Sequence, residues 1–313
     1  MTARPLEPTL ETFQNPLIRY AAATRPAFLT ASLMACLIGL AMARHDGIAL
    51  DSGLAAITLL FALLAHAGAN VLNDYYDALN GTDAQNTERI FPFTGGSRFI
   101  QNGVLTPAQT RNFGFALLFC VVLAGLWLML RSAPQLGYAG LAGLFIGWAY
   151  SAPPFRLNSR GIGELCVTTG FLLIAAGSDF VQRKGFSAAP FVASLPYALL
   201  VTNLLYINQF PDRKADIAAG KLHWVARLEV RHARWGYLLI ALFAYGWLIV
   251  ATAFGALPLW ALLGLLAAPL SLNAAWQLLR HAAQPQQLGG TIRMTIAAML
   301  LHGALLSLGL LVE

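Results

Sequence analysis

Long apolar runs separated by short polar connections dominate the sequence. Nine of these runs approach the roughly 20 apolar residues that a helix needs to cross the hydrocarbon core of a bilayer. No long polar stretch interrupts the series, which predicts a single membrane domain over residues 26–313, preceded by a soluble arm over residues 1–25. The predicted spans cover residues 26–43, 54–77, 113–130, 136–152, 162–181, 190–209, 235–254, 258–279 and 291–311.

The composition favours an all-α membrane bundle and excludes a soluble globular protein. Hydrophobic residues make up 58% and charged residues 11% of the 313 residues, and the mean hydropathy is +0.62. Soluble proteins carry about 25% charged residues. The net charge of +6 could suit nucleic acid in a soluble protein. Here the basic residues lie in short loops between apolar runs, so membrane topology accounts for them and no nucleic-acid partner is expected.

Lysine and arginine concentrate in alternate connections. Of the 20 basic residues, 16 lie in the arm and in the connections after the second, fourth, sixth and eighth predicted spans. The positive-inside rule places these connections on the cytosolic side of the cell membrane. We therefore expect a cytosolic N-terminus and, after nine spans, a C-terminus outside the cytosol.

Two connections on the predicted cytosolic side are long, residues 78–112 and 210–234, and we expect them to cap the bundle. The first follows a span that ends in acids and amides. Asn70, Asp74 and Asp77 are spaced i, i+4, i+7 and therefore line one helix face. We call these three residues the first acidic row.

The second long connection follows a similar group. Asn208, Asp212 and Asp216 are spaced i, i+4, i+8 and form what we call the second acidic row. Pro211 lies inside this group and cannot donate a helical hydrogen bond, so we expect the helix to end or bend near Asp212.

Acids at the end of an apolar span are unfavourable unless water, a cation or a ligand meets them. A single such acid is commonly a helix cap or the partner of a nearby arginine, but two rows on the same side favour a shared site. Carboxylate and amide oxygens suit Mg²⁺, which takes one or two carboxylates together with water and phosphate oxygens. Two facing rows could hold a diphosphate through Mg²⁺ and neutralise its charge as it leaves an allylic carbon.

The two rows resemble the paired motifs of the UbiA superfamily of intramembrane aromatic prenyltransferases, and the resemblance covers nearly the whole chain. The run NDYYDALNGTD from Asn73 to Asp83 is similar to the branch that prenylates 1,4-dihydroxy-2-naphthoate in menaquinone synthesis. The runs GGSRFIQNG (95–103), DRKADIAAGK (212–221) and VARL (225–228) fit the same branch.

Several positions depart from the pattern of that branch. Gly81 stands where many superfamily members carry a further acid, and Asp83 follows it. Gln209 and Pro211 replace an asparagine and an arginine, and His223 lies where a more polar run is common. These departures concern the aromatic acceptor rather than the diphosphate chemistry. Other acceptors of the superfamily, 4-hydroxybenzoate or haem, therefore stay open beside the naphthoate.

The resemblance implies an Mg²⁺-dependent transferase that joins a prenyl diphosphate to an aromatic ring, with loss of the ring carboxyl group, in contact with membrane lipid. It implies that the four aspartates of the two rows are catalytic. The implied Mg²⁺ ligands are Asn70, Asp74, Asp77, Asp212 and Asp216. The implied substrate contacts are Asn70, Asn73, Arg98, Arg156, Asn208 and Lys221.

A cation-coupled transporter is the alternative from another functional class. Its acids would lie near the bilayer midplane on interrupted helices. Here the acids lie at the ends of spans and on one side, which favours the enzyme.

Overall fold

The structure, a computed structural model, describes residues 6–312, so Arg4 of the basic count and the C-terminal residue 313 lie outside it. The described chain is helical and contains no strand. Its α-helices are α1 (Pro16–Ala23), α2 (Pro26–His45), α3 (Ser52–Leu79), α4 (Thr82–Gln85), α5 (Pro107–Arg131), α6 (Leu136–Ala149), α7 (Gly163–Arg183), α8 (Ala189–Ala218), α9 (Trp224–Arg227), α10 (Val230–Ala253), α11 (Ala268–His281) and α12 (Gly289–Leu311). Short 3₁₀ helices cover Leu157–Ser159, Leu259–Ala267 and Pro285–Gln287.

All nine predicted apolar segments are helical within the described residues. Eight are long and apolar enough to cross a membrane: α2, α3, α5, α7, α8, α10, the continuous stretch Leu259–His281, and α12. The ninth, α6, has 14 residues and ends before a Pro153-Pro154 pair, which disfavours further helix. The chain is thus a multi-pass membrane protein.

Of the two outcomes expected at Pro211, a helix end or a bend near Asp212, the structure contradicts the helix end. Helix α8 continues through both Pro196 and Pro211 to Ala218. A proline inside a helix costs about 3 kcal/mol in isolation, but α8 packs against α2, α7, α10 and α12, and these contacts hold the helical path. The second acidic row therefore stays on one continuous helix, and the connection after it shrinks from residues 210–234 to residues 219–229.

The largest buried cluster joins α2, α8, α10 and α12. Tyr197 and Tyr237 are fully buried in it, and each hydroxyl has a partner. Tyr197 donates to the carbonyl of Ala31 at 2.9 Å, and the Tyr237 hydroxyl lies 2.9 Å from that of Thr295. A rigid half of the bundle thus supports α8, which carries the second acidic row.

The N-terminal segment packs over the loop that follows α4. Glu7 pairs with Arg89 at 2.6 Å, and the rings of Phe13 and Phe99 lie 5.1 Å apart. Together, residues 6–25, the loop 86–106 and the connection 219–229 cover the end of the bundle where both acidic rows lie. We call this the carboxylate end. The other side of the bundle, where α3 begins and α7 terminates, is called the opposite end.

Candidate active site

The first acidic row is on the last three turns of α3. Asn73 stands beside the row and donates to Asp77 at 3.2 Å and to the Ser151 hydroxyl at 2.7 Å. Asn80 also donates to Asp77, at 3.2 Å. Asp74 receives the backbone N–H of Ser97 at 3.3 Å to each carboxylate oxygen. Both carboxylates are buried, and these uncharged neighbours orient them.

The second acidic row faces the first from the end of α8. Asp212 accepts a hydrogen bond from Asn86, which comes from the loop after α4. Asp216 is 3% exposed, and its Oδ2 lies 2.9 Å from His223 Nε2. Its other oxygen, Oδ1, has no hydrogen-bond partner among the described residues. Asn208 contributes a further unpartnered amide oxygen. The row therefore presents acceptor atoms with free lone pairs.

His223 is held so that it supports Asp216. Its Nδ1 accepts the backbone N–H of Ala226 at 3.2 Å, which assigns the ring proton to Nε2. The Nε2–H group then donates to Asp216 Oδ2 and leaves Oδ1 free. Sequence reasoning noted His223 only as a departure from a family pattern. Its contact with Asp216 was not predicted, because the two residues are brought together by the turn at residues 219–223.

Lys221 links the two rows. Its Nζ lies 2.9 Å from Asp77 Oδ2 and 3.6 Å from Asp216 Oδ1. Burial alone would lower the pKa of Lys221, but the carboxylates of Asp216 and Asp77 outweigh it and hold the pKa well above its ordinary value. One fixed positive charge thus lies between several carboxylates, at the place where the sequence predicted a substrate contact.

A fifth carboxylate, Asp83, joins the site from α4. A Cβ atom at Gly96 would lie 2.5 Å from Asp83 Oδ2 and 3.1 Å from Asp74 Oδ1, so only glycine permits this approach; its φ is +72°. Burial, together with the carboxylates of Asp77 and Asp74, raises the pKa of Asp83 well above its ordinary value. The sequence showed that Asp83 is part of the motif run. It did not show that Asp83 packs against the Gly95-Gly96 turn, close to the first acidic row.

The structure does not bring two of the predicted substrate contacts, Arg98 and Arg156, to the carboxylates of the two acidic rows. Arg98 is buried in the loop, where it donates to the Asp83 carbonyl and lies 3.6 Å from Glu7. Arg156 is exposed at a turn after α6. Direct diphosphate contact by either side chain stays a prediction. The arginine that does face the site is Arg25, which directly precedes the first predicted span and was not singled out in the sequence.

A cavity of about 480 Å³, which we call the main cavity, begins at the carboxylates and continues into the bundle. Its charged end contains Asn70 and Asp77 of the first acidic row, the whole second acidic row, and Lys221. The remainder is lined mainly by apolar and small side chains of α3, α5, α6 and α7, with some from α2 and α8. Thr58 and Asp77 both line it and lie 19 residues apart on α3. At about 1.5 Å per helical residue this is roughly 28 Å. The main cavity therefore fits a molecule with an anionic head and a long apolar tail.

A smaller side cavity of about 280 Å³ adjoins the main cavity. Arg25 and Phe28 line both, and the Arg25 guanidinium lies 4.3 Å from the centre of the Phe28 ring and donates to the Phe93 carbonyl at 3.2 Å. Among the described residues Arg25 forms no salt bridge. Aromatic rings form much of the wall: Phe13, Phe28, Phe91, Phe93 and Phe99.

The donor set suits a hard divalent cation that shares its ligands with a phosphate. Within residues 6–312, no group of three His, Cys, Asp or Glu side chains is arranged to hold a metal ion unaided. The unpartnered Asp216 Oδ1 and Asn208 Oδ1, together with the carboxylates of the first acidic row, are oxygen donors of the kind Mg²⁺ prefers. A cation here would complete its coordination with water and substrate oxygens, as Mg²⁺ typically does.

Comparison with known proteins agrees with this geometry. The chain is 27% identical over 296 residues to a 1,4-dihydroxy-2-naphthoate octaprenyltransferase of Bacillus subtilis, covering 93% of this chain and 91% of that protein. It is 29% identical to the Escherichia coli protein of the same name, covering 91% and 92%. The fold matches a solved UbiA homolog from Archaeoglobus fulgidus bound to GPP and Mg²⁺, with a TM-score of 0.60, 14% identity, and coverage of 92% and 99%.

The family assignment comes from a match to most of the chain. Residues 32–288 match the UbiA prenyltransferase family. That range contains both acidic rows, Lys221 and every helix that lines the main cavity except the first turns of α2. The chain belongs to the UbiA prenyltransferase family.

Proposed function

We propose that this protein transfers a prenyl chain from a prenyl diphosphate to an aromatic acceptor with the help of Mg²⁺. The observation that carries the proposal is the main cavity: two facing rows of carboxylates bridged by Lys221 at one end, and an apolar interior about 28 Å long behind them. A prenyl diphosphate has the same division into an anionic head and a hydrocarbon tail. The position of the acids near the ends of α3 and α8 also disfavours a transport site at mid-membrane.

Different residues would bind the diphosphate head and the hydrocarbon tail of the donor. Bound Mg²⁺ would neutralise charge that develops on the departing diphosphate. Asp74, Asp77, Asp212 and Asp216 would hold the cation, with Asn70 and Asn208 as neutral oxygen donors. Lys221 supplies a fixed positive charge at the same place without the need to reorganise. The apolar walls keep water from the allylic cation that remains when the carbon–oxygen bond breaks.

For the acceptor we propose 1,4-dihydroxy-2-naphthoate, the substrate in the names of two relatives that match over nine-tenths of the chain. The acceptor ring carbon would form a bond to the prenyl carbon and release its carboxylate as CO₂, so that the electron pair of the broken bond stays with the ring. The side cavity supports an aromatic acid, because its phenylalanine rings surround Arg25, which forms no salt bridge within residues 6–312. 4-Hydroxybenzoate and haem are the competing acceptors.

We further propose that the carboxylate end faces the cytosol, that the N-terminus lies there and the C-terminus outside, and that residues 26–313 act as one catalytic domain. The basic connections at the carboxylate end support this orientation in the cell (inner) membrane. Labelling of single cysteines placed at the exposed positions Thr106 and Lys184 would test it, since only the first should react from the cytosolic side.

The function is tested by incubating the purified protein with a panel of prenyl diphosphates and aromatic acids, with products identified by mass spectrometry. We expect a prenylated, decarboxylated naphthoate in the presence of Mg²⁺ and none with excess chelator. Full activity in chelator would contradict the metal assignment. If a product forms only with 4-hydroxybenzoate, the proposed prenyl transfer stands and the proposed acceptor is replaced by 4-hydroxybenzoate. Absence of product from every pair would reject the proposed function.

A further inference from the structure

The walls of the main cavity contain an unusual number of glycines. They occur on three neighbouring membrane helices, α5, α6 and α7, and all of them line the apolar part of the cavity. These glycines are Gly125, Gly140, Gly143, Gly147, Gly170 and Gly177. Glycine weakens a helix relative to alanine, so each position calls for a physical reason.

Close packing explains several other helical glycines in this protein. A Cβ atom at Gly39 would lie 2.0 Å from the Ala175 carbonyl oxygen, and one at Gly309 would lie 2.1 Å from the carbonyl oxygen of Trp260. At these positions a neighbouring helix passes too near for any side chain. Neither glycine lines the main cavity.

The cavity glycines have the opposite environment. A Cβ atom at Gly125, Gly140, Gly143, Gly170 or Gly177 would meet no atom within 4 Å, and one at Gly147 would make only an ordinary contact at 3.7 Å. No neighbouring helix therefore requires glycine there. What an added side chain would occupy is the space of the cavity itself.

Features other than the glycines also indicate that the main cavity is a ligand site. The 97%-buried Asp216 lines its charged end with a carboxylate oxygen that has no hydrogen-bond partner within residues 6–312, and Lys221 lies 3.6 Å from that oxygen. At the other end, Leu128, Leu136 and Val181 close it as members of one buried cluster. The glycines lie between these ends, along the path that an apolar tail would follow from an anionic head.

We propose that these glycines set the length of prenyl chain that the protein accepts, with positions farther from the carboxylate end admitting longer chains. The proposal rests on the proposed function and adds the residues that determine donor specificity. Gly170 and Gly177 provide the clearest pair, because both lie on α7 and are two turns apart on the same face. Gly170 is seven residues nearer the carboxylate end, or about 10 Å.

This separation gives a quantitative expectation. One isoprene unit adds four chain bonds of about 1.5 Å, or roughly 5 Å of extended chain. A leucine at position 170 should therefore stop chains about two units shorter than a leucine at position 177 does. For chains long enough to reach the new side chain, we expect kcat/KM to fall by about tenfold or more, since overfilling a packed space is unfavourable.

The test compares Gly170→Leu, Gly177→Leu and Gly246→Leu with the parent protein, using prenyl diphosphates of increasing length. Gly246 on α10 is the matched control, because a Cβ there also meets no atom within 4 Å but the residue does not line the cavity. Activity with one acceptor is measured beside binding of each diphosphate, read as the shift in thermal unfolding without acceptor. The expected result is a stepped limit on length, shortest for Gly170→Leu, with Gly246→Leu like the parent.

Two results would overturn the inference and leave the proposed function intact. Identical length limits in all four proteins would mean that the tail leaves the cavity before it reaches these glycines. A uniform loss at every chain length, the shortest included, would mean that the substitutions deform the charged end instead. Failure of the parent protein to turn over or bind any prenyl diphosphate would reject the proposed function itself, and the inference with it.

Discussion

The two ends of the helical bundle differ in how far their buried charged groups are paired within the protein. At the opposite end Arg183 is paired with Asp179 at 2.8 Å and with Asp46 at 2.6 Å, and Gln182 exchanges hydrogen bonds with the backbone of Asp51. These groups satisfy one another. The electrostatics of that end can therefore be explained by stability alone.

The carboxylate end has an excess of negative charge instead. Five buried or half-buried aspartates lie there, and the ammonium group of Lys221 forms salt bridges with two of them, Asp77 and Asp216. Among the described residues, Asp216 Oδ1 has no hydrogen-bond partner. Buried charge without a partner is unfavourable unless something binds there. The contrast teaches that the charged groups of the opposite end are paired within the protein, whereas those of the carboxylate end leave room for the cation and the anionic ligand that we propose.

The largest expected effect comes from removing a carboxylate at the carboxylate end. Asp74→Asn and Asp212→Asn keep the size of the side chain but weaken the metal site that neutralises the leaving diphosphate. We expect turnover to fall about 10²–10³-fold, equally for two different aromatic acceptors. Steady-state rates across an Mg²⁺ titration measure this. The matched control is Asp46→Asn at the opposite end, which should stay within about twofold of the parent. A loss confined to one acceptor would move these residues to the acceptor site.

The next effect concerns the support that His223 gives to Asp216. His223→Ala removes the donor that orients the carboxylate and should raise the Mg²⁺ concentration for half-maximal activity about tenfold or more. Maximal turnover at saturating Mg²⁺ should change much less, and His223→Gln, which can still donate, should recover part of the affinity. His232→Ala, at an exposed position on α10, serves as the control. A fall in maximal turnover with unchanged Mg²⁺ dependence would contradict the positioning role.

At the opposite end, Arg183→Met should damage stability and spare the chemistry. It removes the charged partner of Asp179, whose side chain is only 1% exposed. Loss of hydrogen bonds between charged groups costs about 2 kcal/mol, so the thermal unfolding midpoint in detergent should fall. The Mg²⁺ dependence should be unchanged. Adding Asp179→Leu to the same chain should restore part of the midpoint, because it removes the carboxylate that was left alone. A changed Mg²⁺ requirement would show that the two ends are coupled.

The smallest effect is the pH dependence of stability that Asp83 contributes. Its pKa is raised in the folded protein, so the folded state holds a proton that the unfolded chain has released. In metal-free protein the free energy of unfolding should therefore decline as pH rises from about 4 toward the folded-state pKa. Asp83→Asn should flatten this decline, as followed by unfolding midpoints against pH. Glu229→Gln, an exposed change, should leave the decline as it is; an unaltered slope in Asp83→Asn would contradict the assignment.

The sequence by itself determined the membrane architecture. Apolar runs of sufficient length have few alternatives to a helix in a bilayer, because every backbone polar group must be satisfied within the segment. The helical spacing of the two acidic rows was also set locally, and the motif runs that carry the family resemblance include the four aspartates of these rows. The nine helical segments and the family assignment could thus be predicted from local pattern alone.

The tertiary structure decided which charged groups meet. Pro211 indicated a helix end or a bend, but packing around α8 keeps the segment helical beyond it. Arg98 was predicted to contact the diphosphate, but its loop directs the side chain toward Glu7 and the Asp83 carbonyl. Arg25 and His223 reach the site through neighbours that are distant along the chain or beyond a turn. The role of the cavity glycines could be inferred only from the structure. In the sequence, a helical glycine that faces a neighbouring helix cannot be distinguished from one that faces empty space. That difference exists only in three dimensions, in the distance from the absent Cβ to the next atom.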